Sequence, residues 1–93
     1  YLTEKERAAA PKIRRALLAL AEKIAAGTDD AASLAAGFTE TLAADPIFEP
    51  EYIEIVDAST MRPLEKISAG NTLVAVAVRM SDSRTRLIDN IRV

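Results

Sequence analysis

Apolar residues recur along the chain in two rhythms, a helical one before Pro46 and a strand-like one after it. Ile13, Leu17, Leu20 and Ile24 form one apolar stripe at helical spacing, with Lys12, Arg14, Arg15, Glu22 and Lys23 off it. Upstream, Thr3 and Glu6 make a capping box, and Glu4 and Glu6 suit the positive end of a helix dipole. Pro11 disfavours helical geometry at Ala10. The pattern therefore predicts a short helix from Glu4 to Ala10 and a longer one from Pro11 to about Ala26; a single kinked helix is the alternative. Gly27 ends the second helix. Asp29 or Asp30 caps a further helix to about Ala44, with Ala31, Leu34, Ala35, Phe38 and Leu42 on its buried face. Gly37 inside it costs up to ~1 kcal/mol against alanine, which points to close approach of the neighbouring helix.

After Asp45-Pro46 the period shortens. Glu51 to Asp57 alternates, with Ile53 and Ile55 on one face, Glu54 on the other, and Tyr52 and Val56 semi-exposed. Asp57 to Thr60 reads as a turn in which Asp57 bonds its own backbone two residues on. Arg62 to Ile67 is a weak strand, and Pro63 places it at a sheet edge. Ser68 to Asn71 turns the chain again. Leu73 to Val78 is an unbroken apolar run, too short for a membrane span, and reads as the central strand. A polar turn at Ser81-Asp82-Ser83 leads to a last strand, Arg84 to Ile91, so that the two runs form an antiparallel hairpin. The fold expected is α+β: two to three helices packed on one face of a small three- to four-stranded, mainly antiparallel sheet. Its core is expected to hold Leu73, Val76, Val78, Leu87 and Ile88 together with Ile13, Leu17, Leu20, Leu34, Phe38, Ile53 and Ile55.

Ninety-three residues make one domain, 1–93, with a modest stability margin. Aromatics are only 4% and fourteen of the eighteen alanines precede Pro46, so the helical half packs through small side chains. Formal charge is −2, from 12 basic and 14 acidic residues. No cationic field is implied, which argues against a nucleic-acid or anionic-membrane partner. With no cysteine and no histidine, disulfides, thiolate chemistry and the usual zinc sites drop out. No signal peptide or span is visible, and a cytoplasmic origin is the default. The first residue is Tyr rather than Met, so the chain is expected to be a piece of something longer.

Candidate chemistry is sparse. Ser59, Ser68, Ser81 and Ser83 have no histidine to activate them and read as turn residues. Asp29-Asp30, which could be taken for a carboxylate pair or a metal site, sits where a helix needs a cap, and the cap is favoured. Asp89-Asn90 either faces a ligand or bonds backbone or arginine at the strand end; the second reading is favoured. Arg79, Arg84, Arg86 and Arg92, interleaved with Asp82 and Asp89, read as ion pairs on a solvated edge rather than a phosphate site. The three glycines are far apart and make no phosphate loop.

The stretches Leu73-Val74-Ala75-Val76-Ala77-Val78-Arg79-Met80 and Thr85-Arg86-Leu87-Ile88-Asp89-Asn90-Ile91 resemble the C-terminal end of the pantothenate synthetase (pantoate–β-alanine ligase) family. Tyr1-Leu2-Thr3, Glu6 to Pro11 and Tyr52 to Ala58 fit in the same order, so the resemblance covers essentially the whole chain. One departure is the hairpin loop, where Ser81-Asp82-Ser83-Arg84 replaces a shorter, glycine-containing turn. The resemblance implies the C-terminal lid of a two-domain, homodimeric ligase. Its partner would be an N-terminal nucleotide-binding domain of the same chain. That enzyme condenses (R)-pantoate with β-alanine through a pantoyl adenylate, using ATP with Mg2+. The family's phosphate-gripping Ser-Ser-Arg-Asn run lies directly before the position of Tyr1. No catalytic, cofactor-binding or metal-ligating residue carries over to this sequence, and the fragment alone is expected to be inactive. What carries over is Thr85 to Ile91 as the closing strand. An independent protein- or ligand-binding module, with the Arg62 to Ile67 edge accepting a partner strand, is the alternative; a nucleic-acid binder using the terminal arginines is a third.

Overall fold

The structure is a computed structural model that describes residues 1–67 and 70–93. The expected turn at Ser68-Ala69, and the reading of Ser68 as a turn residue, lie outside the described residues. The chain runs through α1 (Glu4–Ala9), α2 (Pro11–Ala25), α3 (Ala31–Ala43), β1 (Phe48–Asp57), β2 (Thr72–Met80) and β3 (Arg86–Arg92). The strands form one antiparallel sheet in the order β1-β2-β3.

Each helix begins and ends for a local reason. In α1 the Thr3 hydroxyl accepts the Glu6 N–H at 3.1 Å and the Glu6 carboxylate accepts the Thr3 N–H at 3.0 Å, the full capping box. Pro11 occupies the first position of α2, where a missing N–H costs nothing. Ala10 nevertheless keeps helical dihedrals, φ −50° and ψ −40°, and donates to the Glu6 carbonyl at 2.8 Å. The proline marks the joint between two helices without forcing an extended residue before it, which is closer to the kinked-helix alternative. At the other end, Gly27 has φ 108°, and the N–H groups of Gly27 and Thr28 reach back to the carbonyls of Ile24 and Lys23. That left-handed cap is why the helix stops there. In α3 the Asp30 carboxylate accepts the Ser33 N–H at 3.0 Å and the Ser33 hydroxyl at 2.6 Å.

The helices lie on one face of the sheet. Ile13, Leu17 and Leu20 of α2 and Ala31, Leu34, Phe38 and Leu42 of α3 are buried against Phe48, Ile55, Val74, Val76, Val78 and Met80. Leu87 and Ile91 of β3, Ile53 of β1 and Ile24 of α2 are half-buried at the margin of this core. A closely packed layer of this kind supplies most of the stability of so small a sheet.

Five expectations fail in instructive ways. Ile88 is 64% exposed rather than buried. Register places it opposite Ala77, on the face away from the helices, and its neighbour Leu87 opposite Val78, on the covered face. Adjacent strand residues point to opposite faces, and only one face has a second layer. Leu73 shares the open face and is half-buried, and Val56 is buried rather than semi-exposed. Segment Arg62 to Ile67 is not a strand. It makes isolated bridges, Val56 to Pro63 and Asp30 to Lys66, and so ties the start of α3 to the end of β1. Gly37 shows no close backbone approach: an added Cβ would meet only the Lys23 Nζ, at 3.8 Å.

Candidate functional site

The terminal arginines are held by glutamates of β1 rather than by the aspartates near them in sequence. A register shift between Pro50 and Tyr52 leaves Glu51 as the extra residue of a bulge. Its two carboxylate oxygens accept from Arg79 Nε at 3.0 Å and Arg86 Nε at 2.6 Å. The hydrogen bond from Arg79, aided by that from Arg86, holds the Glu51 carboxyl below its ordinary value against a partial burial that pushes it up. Arg84 pairs with Glu49, and the Arg86 guanidinium lies 5.6 Å from the centre of the Tyr52 ring. Three of the four cations are thus neutralised within the sheet, which leaves little to grip a phosphate backbone.

The Asp89-Asn90 pair meets an arginine, as its second reading expected. Arg14 of α2 reaches the Asp89 carboxylate at 3.4 Å and the Asn90 carbonyl at 3.0 Å, clamping helix to edge strand. Asp57 accepts the N–H groups of Ser59 and Thr60 at 2.8 and 2.9 Å, the expected turn. These bonds, led by that from Thr60, hold its carboxyl low. The Ser83 and Thr85 hydroxyls are paired at 2.8 Å, Ser59 donates its own to Asn71, and the Ser81 N–H serves the Ile47 carbonyl. Among the described residues, no three His, Cys, Asp or Glu side chains converge on a possible metal position.

The site of consequence is one that the sequence reading credited only with a cap. Glu6 is fully buried. One carboxylate oxygen accepts the Thr3 N–H, and the other accepts the N–H groups of Asp82 at 2.9 Å and Ser83 at 3.0 Å. Burial alone would raise its carboxyl. Hydrogen bonds from the Ser83 and Thr3 backbone, the Ser83 side chain and the Asp82 backbone outweigh it and bring the value from 4.5 down to about 2. The carboxylate joins the first turn of the chain to the β2–β3 turn, 76 and 77 residues away. That turn is closed by the Arg84 N–H to the Met80 carbonyl at 2.9 Å, with Arg84 at φ 63°. Beside the joint a cleft of about 430 Å³ opens between Lys5, Lys12, Asp45 and Asp82. A capping box uses only one oxygen of its glutamate, and a polar hairpin turn has N–H groups that need acceptors; only the fold shows that each answers the other.

Comparison with known proteins agrees with this architecture. Residues 1–92 match the family described as Pantoate-beta-alanine ligase. The pantothenate synthetase of Chloroflexus aurantiacus is 42% identical over 90 residues, which are 97% of this chain and 31% of that protein. A bifunctional pantoate ligase/cytidylate kinase of Synechococcus elongatus is 42% identical over 91 residues, 98% of this chain and 17% of that one. The crystal structure of the pantothenate synthetase from Thermus thermophilus superposes with a TM-score of 0.83 at 37% identity, covering 99% of this chain and 32% of that chain. This chain thus spans about a third of the length of the pantothenate synthetases it matches.

Proposed function

Since the chain belongs to the pantoate–β-alanine ligase family, we propose that residues 1–93 are the C-terminal lid domain of a cytoplasmic, homodimeric pantothenate synthetase. In the reaction proposed for the whole enzyme, the pantoate carboxylate attacks the α-phosphorus of ATP and pyrophosphate leaves. The β-alanine amine then attacks the acyl carbon of the pantoyl adenylate, loses a proton and displaces AMP. ATP, Mg2+, pantoate and β-alanine are held mainly by the N-terminal nucleotide-binding domain, the partner of this segment. What these residues contribute is a rigid cover. An acyl adenylate is a mixed anhydride, and water that reaches it before the amine does wastes the ATP. Closing a domain over the site excludes that water and brings the segment preceding Tyr1, which carries the phosphate grip, up to the nucleotide.

The observation that carries the reading is the match over residues 1–92 to a ligase family whose members are about three times as long. The chemistry of the segment is consistent with it: Arg79, Arg84 and Arg86 are paired, Ser59, Ser81 and Ser83 sit in turns, and the fully buried Glu6 carboxylate is engaged by backbone N–H groups. The test is the product analysis of an enzyme of full family length that carries this segment. It should form pantothenate and AMP in equal amounts from pantoate, β-alanine and ATP. Release of ADP, or no dependence on β-alanine for pantothenate formation, would refute the assignment.

A further inference from the structure

The two edges of the sheet are finished differently. Along β1 the segment after the turn supplies partners: the Leu64 N–H donates to the Ile55 carbonyl and the Asp57 N–H to the Arg62 carbonyl, both at 2.9 Å. Strand β3 has no strand beyond it among the described residues. Its pairing with β2 decides which groups it leaves free. Thr72 and Val93 exchange both hydrogen bonds, and the Met80 N–H donates to the Thr85 carbonyl. In an antiparallel ladder the backbone groups of alternate residues face the same neighbour. Leu87, Asp89 and Ile91 therefore serve β2, while Arg86, Ile88, Asn90 and Arg92 turn their N–H and C=O groups outward. Ile88 adds a large apolar side chain, 64% exposed, in the middle of that edge. A bare edge of this kind is a template for another strand. At Asn90 both outward groups are already taken. The N–H donates to Asp89 Oδ1 at 2.8 Å, the carbonyl accepts from Arg14 Nη1 at 3.0 Å, and that same nitrogen lies 3.4 Å from Asp89 Oδ1. The three contacts close a small ring over the edge.

We propose that Arg14 and Asp89 guard the β3 edge against pairing with a second copy of this chain. Without them the edge is complementary to itself. Two copies related by a two-fold axis at Ile88 set Ile88 opposite Ile88, Arg86 opposite Asn90 and Leu87 opposite Asp89, so that no like charges meet. The two Ile88 side chains then cover each other's exposed apolar surface. The rungs on either side of the axis run through the N–H and the carbonyl of Asn90, the groups that the ring occupies. An exposed ion pair adds little stability. The value of this one lies in holding backbone groups that a partner strand needs. In the homodimer proposed above, an added β3-to-β3 contact would string dimers into open chains; the guard itself needs only this chain.

The experiment follows the 93-residue chain by sedimentation velocity from about 10 μM to about 1 mM, with circular dichroism confirming the fold of every variant. The parent should sediment as one species throughout. Arg14→Ala frees the Asn90 carbonyl and Asp89→Ala its N–H. The double variant should form a dimer within this range, an association tightened by about tenfold or more over the parent. Hydrogen exchange at the Ile88 and Asn90 amides should slow as its concentration rises. Arg15→Ala, an equal charge change on the same helix, should behave as the parent. Adding Ile88→Lys to the double variant places like charges at the axis and should return it to a single parental species. Parental sedimentation of the double variant up to the highest concentration overturns the proposal, as does a parent chain that already pairs through β3. Association that Ile88→Lys does not reverse, or that leaves exchange at Ile88 unchanged, belongs to another surface and overturns it too. Should the double variant fail to fold, Arg14→Ala alone decides by the same readings, because it leaves the strand itself untouched.

Discussion

Val76 and Ile88 test the sheet's one-sidedness with a single pair of truncations. Val76 sits at the middle of β2, is fully buried, and is paired with Ile53 on one side and Asp89 on the other. Changing it to alanine removes two methyl-sized groups, about 0.8 kcal/mol each in transfer. The cavity left under α2 and α3 adds to this, for a loss of about 2–3 kcal/mol. Stability for a chain of this length is about 5–14 kcal/mol at roughly 0.05–0.15 kcal/mol per residue, so the variant still folds. Ile88 is a larger aliphatic side chain in the neighbouring strand, yet it stands on the open face. Truncating it to alanine should change stability by no more than about 0.5 kcal/mol. The assay is urea unfolding of the 93-residue chain, where a slope of about 1–3 kcal/mol/M turns the Val76 loss into a midpoint shift of about 0.7–3 M. The chain should unfold in one cooperative transition. A Val76→Ala loss below about 0.5 kcal/mol, or an Ile88→Ala loss equal to it, would contradict the register and the single helical layer.

Gly37→Ala should raise stability by about 0.5–1 kcal/mol, since helical alanine is favoured and the new methyl meets only the flexible end of Lys23 at 3.8 Å; a loss of stability on urea unfolding would mean that α2 and α3 pack more closely there. Glu6 has a folded-state pKa depressed from 4.5 to about 2, so its stabilising contribution is complete above pH 4.5 and is lost as pH falls toward 2. Asp30, Glu51 and Asp57 are also lowered and add loss of the same sign. Urea midpoints should therefore drop through this window, and less steeply in Glu6→Gln; identical slopes would contradict the buried ionised carboxylate. The isolated chain should show no micromolar ATP binding by titration calorimetry, because Arg79, Arg84 and Arg86 are ion-paired and the three glycines of the sequence stand far apart; a micromolar isotherm would place a nucleotide site within these residues.

Most of the fold was legible because the signals were local. Thr3 with Glu6, Asp30, Gly27 and Asp57 each act within a few residues, and each behaves in the structure as its chemistry requires. The stripe Ile13-Leu17-Leu20 and the run through Val74, Val76 and Val78 likewise announced the core. What failed depended on the third dimension. Alternation in Leu87-Ile88 shows that two faces exist but not which one a helix covers. Arg62 to Ile67 has strand-like composition, yet its bonds go to α3 and β1 in isolated pairs, because Pro63 cannot donate to a ladder. Arg79, Arg84 and Arg86 were rightly read as ion pairs. Their partners were misjudged, because Glu49 and Glu51 come alongside only when β1 pairs with β2. The joint at Glu6 spans nearly the whole sequence, and no periodicity carries such information. The ligase assignment was legible for a different reason, through the Thr85 to Ile91 run and its companions rather than through any residue of chemical function.

The central claim is that this segment protects an acyl adenylate it does not itself make. The measurement that tests it most directly is the ratio of AMP to pantothenate formed by the full-length enzyme and by one lacking residues 1–93, with the folding of the truncated enzyme verified first. The account predicts a ratio near one for the full-length enzyme. For the truncated form it predicts retained weak ligand binding, lost productive turnover, and any residual AMP uncoupled from pantothenate. Turnover at the parental rate with a ratio still near one would contradict it and leave the segment a structural appendage.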